Sequence, residues 1–115
     1  MKVIVAGGRD FKNYYLLCKV LNNFHKENKI TEVVCGGARG ADSLGEQWAK
    51  EHNIIVKYFP ADWDTYGVAA GPIRNQAMAE YGDYLIAFWD GKSRGTKNMI
   101  YCIKRMKKHG KVIIY

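Results

Sequence analysis

The feature that most constrains this chain of 115 residues is a regular alternation of apolar, β-branched runs with amphipathic segments of helical spacing. In the first helical segment, Leu17, Val20, Leu21 and Phe24 fall at i, i+3, i+4 and i+7, on one helix face. Similar segments separate five apolar runs that have the composition and length of strands. The predicted strands are 2–6, 32–36, 54–59, 83–89 and 111–115.

This βαβαβαβαβ order predicts the α/β class, with a Rossmann-like three-layer α/β/α fold in a single domain spanning 1–115. We expect a five-stranded parallel sheet of order 3-2-1-4-5. The carboxyl ends of parallel strands share one edge, so the loops that follow the first four strands should meet there. We expect a ligand to bind where the strand order reverses, between strands one and four. The four loops are 7–10, 36–42, 63–75 and 90–96.

Residues that favour helix ends predict several boundaries. Pro72 suits the first turn of the third helix, where its missing N–H costs nothing, and Arg74 and Asn75 would share that turn. Thr96 is a suitable N-cap for the fourth helix, and Gly110 is a suitable residue to end it.

The composition favours anionic partners and disfavours membrane insertion. The formal net charge is +7, which suits nucleotides, nucleic acids or acidic proteins, although the basic cluster near the C-terminus is interpreted as a solvated helix end. No apolar run approaches the roughly 20 residues of a membrane span. The first apolar run is too short for a signal peptide, so we expect a cytoplasmic protein.

The cysteines and histidines give no pattern of a metal site. Cys18, Cys35 and Cys102 are far apart, odd in number and set in apolar patterns, which favours buried thiols over disulfides or zinc ligands. The three histidines lie near predicted helix ends. Neither a dinucleotide fingerprint nor a Walker motif is present, so we expect neither a metal ion nor a cofactor.

The loop after the second strand is rich in glycine. Gly36, Gly37 and Gly40 let its backbone approach a ligand closely, and the N–H groups that start the next helix would face that ligand. Arg39 adds a forked donor suited to phosphate or carboxylate. The alternative is an ordinary strand-to-helix turn in which Arg39 pairs with Asp42.

Cationic side chains recur along the predicted edge. They would repel one another unless an anion binds there or the carboxylates Asp10, Asp42 and Asp90 pair with them, and both arrangements stay open. The cationic residues are Arg9, Arg39, Arg74, Lys92 and Arg94. Three aromatic side chains of this region could stack on a base or serve as ordinary packing: Trp63, Tyr66 and Trp89.

Four ordered motifs, spread over nearly the whole chain, resemble the YspA-like branch of the SLOG superfamily. The motifs are Gly7-Gly8-Arg9-Asp10-Phe11, Gly36-Gly37-Ala38-Arg39-Gly40-Ala41-Asp42, Ala70-Gly71-Pro72-Ile73-Arg74-Asn75 and Phe88-Trp89-Asp90-Gly91-Lys92-Ser93-Arg94-Gly95-Thr96. That superfamily also contains the DprA/Smf DNA-binding proteins and the Lonely Guy nucleotide-processing enzymes. The resemblance implies a Rossmann-like fold, a pocket for a nucleotide or nucleotide-derived ligand, and pairing of two copies through helices.

The chain departs from the Lonely Guy phosphoribohydrolases at one position. Those enzymes carry P-G-G-x-G-T-x-x-E, whose glutamate assists cleavage of the N-glycosidic bond, whereas Met99 occupies the corresponding position here. A thioether cannot act as an acid or a base. Asp42, Asp62, Asp64 and Asp90 are candidate substitutes, with Asp42 and Asp90 as the named catalytic candidates, and nothing in the sequence selects one of them.

The expected function is the binding or sensing of a small nucleotide-like phosphate ligand at the carboxyl edge of the sheet. Two alternatives remain: a nucleotide hydrolase that uses a substitute acid, and a protein that binds single-stranded nucleic acid. The residues expected to hold the phosphate and sugar are Gly8, Arg9, Gly37, Arg39, Gly40, Asp42, Arg74, Asn75, Ser93, Gly95 and Thr96.

Overall fold

The computed structural model describes residues 1–115 and contains five strands and five helices, with one helix between successive strands except for two between the third and fourth. The strands are β1 (Lys2–Gly7), β2 (Glu32–Cys35), β3 (Ile55–Tyr58), β4 (Tyr84–Trp89) and β5 (His109–Ile114). The helices are α1 (Tyr14–Glu27), α2 (Ala41–Glu51), α3 (Trp63–Tyr66), α4 (Ala70–Tyr81) and α5 (Arg94–Arg105), with a 3-10 turn at Gly67–Ala69.

The strands form one parallel sheet in the order β3-β2-β1-β4-β5. In the centre of the sheet, Val3 of β1 pairs with Val33 on one side and with Tyr84 on the other. This arrangement confirms the predicted Rossmann-like fold and strand order. The order reverses between β1 and β4, and a crevice opens there at the carboxyl edge of the sheet.

Alternating side chains of the central strands pack into two separate cores, one on each face of the sheet. Val3 and Val5 of β1 are fully buried beneath α1 and α2, where they belong to one apolar cluster with Trp48. Ile4 and Ala6 face the opposite layer, which α4 and α5 supply. Because both sheet faces are covered, the central strands read as continuous apolar runs.

The predicted loop between β3 and the third long helix is more ordered than expected. It contains α3 and the 3-10 turn, and the Asp62 side chain caps α3 by accepting from the Thr65 N–H at 3.2 Å. Helix α4 then begins at Ala70, so Pro72 lies in its first turn as predicted. Arg74 and Asn75 are the fifth and sixth residues of α4 and lie in its second turn, which corrects their predicted place in the first turn.

Both predicted ends of the last helix are wrong. Helix α5 starts at Arg94 with Ser93 as the N-cap residue, so Thr96 lies inside the helix. The helix ends at Arg105, and Lys107 adopts a left-handed conformation (φ 58°) in the turn that follows. Gly110 therefore lies within β5 and pairs with Leu85 of β4.

One lysine of the basic C-terminal cluster has a structural partner set. The ammonium of Lys108 donates to the carbonyls of Ala79, Glu80 and Gly82 at 2.7, 3.0 and 2.7 Å. These carbonyls end α4, where a cation also suits the helix dipole. The other basic residues of the cluster remain on the surface.

The cysteines are largely interior. Cys35 and Cys102 are buried, and Cys18 is half-buried. Burial raises the pKa of the Cys35 thiol to about 11, which disfavours its reactive thiolate form. None of the helices has the length and apolar character needed to cross a membrane.

Candidate functional site

A cavity of ≈ 740 Å³ lies at the carboxyl edge of the sheet, where the strand order reverses. Its walls come from the loops after β1, β2 and β4, from the region of α3 and α4, and from the start of α5. Most of the residues expected from the sequence line it. They are Gly8, Arg9, Asp42, Arg74, Asn75, Asp90, Ser93, Gly95 and Thr96, together with Met99.

The amino end of α5 presents free hydrogen-bond donors to this cavity. The backbone N–H groups of Arg94, Gly95 and Thr96 have no acceptor within the protein, and Ser93 provides no side-chain cap. A Cβ added to Gly95 would meet no atom within 4 Å. The first turn of α5 is therefore an open cradle of donors at the positive end of a helix dipole.

Asp90 shapes the turn that leads into this cradle. Its Oδ1 accepts the N–H groups of Lys92 and Ser93, both at 2.8 Å, and the Trp89 indole N–H donates to the Ser93 carbonyl at 3.0 Å. The two backbone donors hold the pKa of Asp90 below its usual value. The carboxylate therefore stays ionised and acts as a loop acceptor.

Asp42 is a buried carboxyl in the cavity wall. Asp42 is only 7% exposed, and its Oδ2 accepts the Gly36 N–H at 2.8 Å. Burial raises the pKa of Asp42, although the N–H groups of Gly36 and Ala38 and the charge of Arg74 partly offset this. Asp42 thus holds the start of the loop after β2 by accepting from its backbone. No ion pair joins Asp42 to Arg39.

Arg74 is already engaged by the protein. Its Nη1 donates to the carbonyls of Gly36 and Phe59 at 3.2 and 3.4 Å, and its Nε donates to the Asn75 Oδ1 at 3.0 Å. Burial lowers the pKa of Arg74, with nearby Asp42 acting in the opposite direction. The guanidinium therefore links α4 to the carboxyl ends of β2 and β3.

Asn75 joins the two helices that frame the cavity. This residue is 5% exposed, and its Nδ2 donates to the Gly95 carbonyl at 3.2 Å and to the Asn98 Oδ1 at 3.0 Å. The contact fixes the start of α5 relative to α4. Asn75 therefore holds the N–H groups at the start of α5 in place relative to α4.

The glycines of the second loop divide into different roles. Gly37 and Gly40 both have positive φ, at 80° and 76°, and neither lines the cavity. Gly40 packs so tightly that an added Cβ would lie 2.7 Å from the backbone of Arg9 and nearer still to the Gly8 carbonyl. Arg39, between them, is exposed and outside the cavity lining.

The loop after β1 is tied down at several points. The Gly8 N–H donates to the Phe88 carbonyl at 3.1 Å, and the Tyr115 hydroxyl donates to the Asp10 Oδ1 at 2.7 Å. Arg9 is exposed at the cavity mouth and its side chain makes no hydrogen bond or ion pair. The ordered loop after β1 thus places the unpaired guanidinium of Arg9 at the cavity.

The set expected to hold the phosphate and sugar left out several residues that line the cavity: Asp10, Trp63, Val68, Arg94 and Asn98. The sequence had placed three of them at this edge in other roles: Asp10 as a pairing carboxylate, Trp63 as an aromatic face and Arg94 as a cation. Val68 and Asn98 were not singled out. Asn98 follows Arg94 by four residues on α5, and a correct helix start would have placed the two on one face.

Comparison with known proteins relates this architecture to one family. The model of the YspA, cpYpsA-related SLOG family matches residues 1–66, which include the first two of the four motifs. The chain is also 32% identical over 120 residues to the Gene 61 protein of Mycobacterium phage D29, an alignment that covers 98% of this chain and 94% of the relative. No solved structure matches the chain.

Proposed function

This chain belongs to the YspA, cpYpsA-related SLOG family, and on that basis we propose that it binds the phosphate of a nucleotide or nucleotide-derived ligand in the cavity. Membership of the family is consistent with nucleotide-related binding or processing. The observation that carries the proposal is the cradle of three free N–H groups at the start of α5. Such donors, aligned with the helix dipole, bind phosphate well.

The charges around the cradle support an anionic ligand. Arg9 and Arg94 both line the cavity, and neither makes an ion pair with a carboxylate of the protein. Two guanidinium groups at one cavity, neither of them paired with a carboxylate, supply charge-assisted donors for an anionic ligand. The cavity volume of ≈ 740 Å³ also falls within the range of pockets that bind small ligands.

Arg94→Ala should weaken binding of nucleoside monophosphates about tenfold or more, because it removes a charge-assisted donor to the phosphate. Arg39→Ala is the matched control, since it removes the same charge from an exposed position outside the cavity. We expect it to change affinity by less than about twofold. Isothermal titration of both variants checks this, and equal losses would count against the proposed site.

A second candidate function is hydrolysis of the same ligand with Asp42 as the acid. The raised pKa of this buried carboxyl and its place in the cavity wall favour such a role. Met99, also in the lining, offers no proton. Release of free base or ribose phosphate that is lost in Asp42→Asn would support hydrolysis, and absence of product from a nucleotide panel would remove it.

A further inference from the structure

Trp63 differs from the other two tryptophans because its indole is half-exposed and its N–H has no partner in the fold. Trp48 is fully buried and its indole N–H donates to Asn22, while the indole N–H of Trp89 donates to Ser93. Trp63 is 50% exposed, makes no indole hydrogen bond and packs against no aromatic ring. An indole left half in water at a cavity wall has a large apolar face available to a ligand.

The position of this indole relative to the donor cradle follows from α4. The Cη2 of Trp63 lies 3.4 Å from where a Cβ of Gly71 would be, so the ring covers the start of α4. Asn75, four residues later, contacts the Gly95 carbonyl at the cradle. Four residues of α-helix rise about 6 Å. The indole therefore contacts α4 about one turn before Asn75, the residue that joins α4 to the start of α5.

We propose that Trp63 is the stacking face for the base of the ligand, and that the ligand is therefore a nucleoside phosphate and not a phosphorylated sugar without a base. This inference rests on the proposed phosphate site. Stacking on an aromatic ring tolerates any base, because every base has a π-face. Trp63 accordingly favours nucleotides as a class and does not select one base.

The test compares ligands with and without a base on four proteins: the wild type, Trp63→Ala, Trp63→Phe and Tyr66→Ala. Tyr66 is the matched control, since it belongs to the same short helix, is 51% exposed and does not line the cavity. Trp63→Ala should weaken binding of AMP and UMP by about tenfold. Binding of ribose 5-phosphate should be unchanged, and Trp63→Phe should retain most of the affinity for AMP and UMP.

The outcomes separate this inference from the proposed function. A wild-type protein that binds neither AMP nor ribose 5-phosphate refutes both. A wild-type protein that binds both ligands, with Trp63→Ala weakening them equally or not at all, overturns the stacking role and leaves the phosphate site in place. Sedimentation velocity adds a second readout. If the wild type is a dimer and Trp63→Ala is a monomer with unchanged ligand affinities, the exposed indole forms a contact between copies. That result overturns the inference.

Discussion

Gly95→Asp should weaken phosphate binding at least severalfold while leaving the fold intact. The new carboxylate would lie at the free N–H groups of α5, where the phosphate is proposed to bind. Two like charges about 4 Å apart repel by about 1 kcal/mol in water and about 4 kcal/mol near a protein surface. Isothermal titration with AMP should therefore show binding weakened from roughly fivefold to several hundredfold.

The same substitution is favourable for the helix itself, which separates loss of binding from loss of structure. Gly95 is the second residue of α5, where an acidic side chain suits the dipole and where aspartate has a higher helix propensity than glycine. A Cβ there meets no atom within 4 Å. The thermal midpoint of Gly95→Asp should thus be equal to or above that of the wild type.

Gly95→Ala is the control for the loss of glycine without added charge. It should bind AMP with nearly wild-type affinity, because the open space at Gly95 accommodates a methyl group. If Gly95→Asp binds AMP as well as Gly95→Ala does, the start of α5 is not the phosphate site.

Gly40→Ala should destabilise the fold strongly. A methyl group at Gly40 would lie 2.7 Å from the backbone of Arg9 and closer to the Gly8 carbonyl, so the loops after β1 and β2 must separate. The positive φ of 76° adds backbone strain. Strain costs about 1–3 kcal/mol and overpacking typically another 1–3 kcal/mol. We expect a loss of roughly 2–6 kcal/mol in the free energy of unfolding, measured by urea denaturation.

Gly67→Ala measures the backbone strain alone, so the difference between the two variants gives the cost of the clash. Gly67 has φ 56° and ψ −132°, close to the 76° and −128° of Gly40, yet an added Cβ meets nothing within 4 Å. Its substitution should therefore cost only the backbone term, about 1–3 kcal/mol. Equal losses in the two variants would show that the clash with Gly8 and Arg9 adds nothing to the cost of Gly40→Ala.

The fold could be predicted from the sequence because its determinants are local. A buried parallel strand is a continuous apolar run, and a helix that covers it repeats apolar residues at 3.6-residue spacing, as Leu17, Leu21 and Phe24 of α1 do. The alternation of these two patterns then limits the chain to a parallel sheet with helices on both faces. Helix ends were less predictable, since Lys107 makes a left-handed turn without glycine.

The role of each residue at the carboxyl edge was decided only by the tertiary structure. Gly40 and Gly95 both occur in glycine-rich loops after strands, yet Gly40 packs against the Gly8 carbonyl whereas Gly95 borders open space. Arg74 donates to carbonyls 15 and 38 residues away, while Arg94 makes no ion pair. A residue type specifies which bonds a side chain can form, but the partner depends on which distant segments the fold brings within reach. The alternation of strands and helices therefore determined where a ligand site would lie, and long-range packing decided which donors remain free to form it.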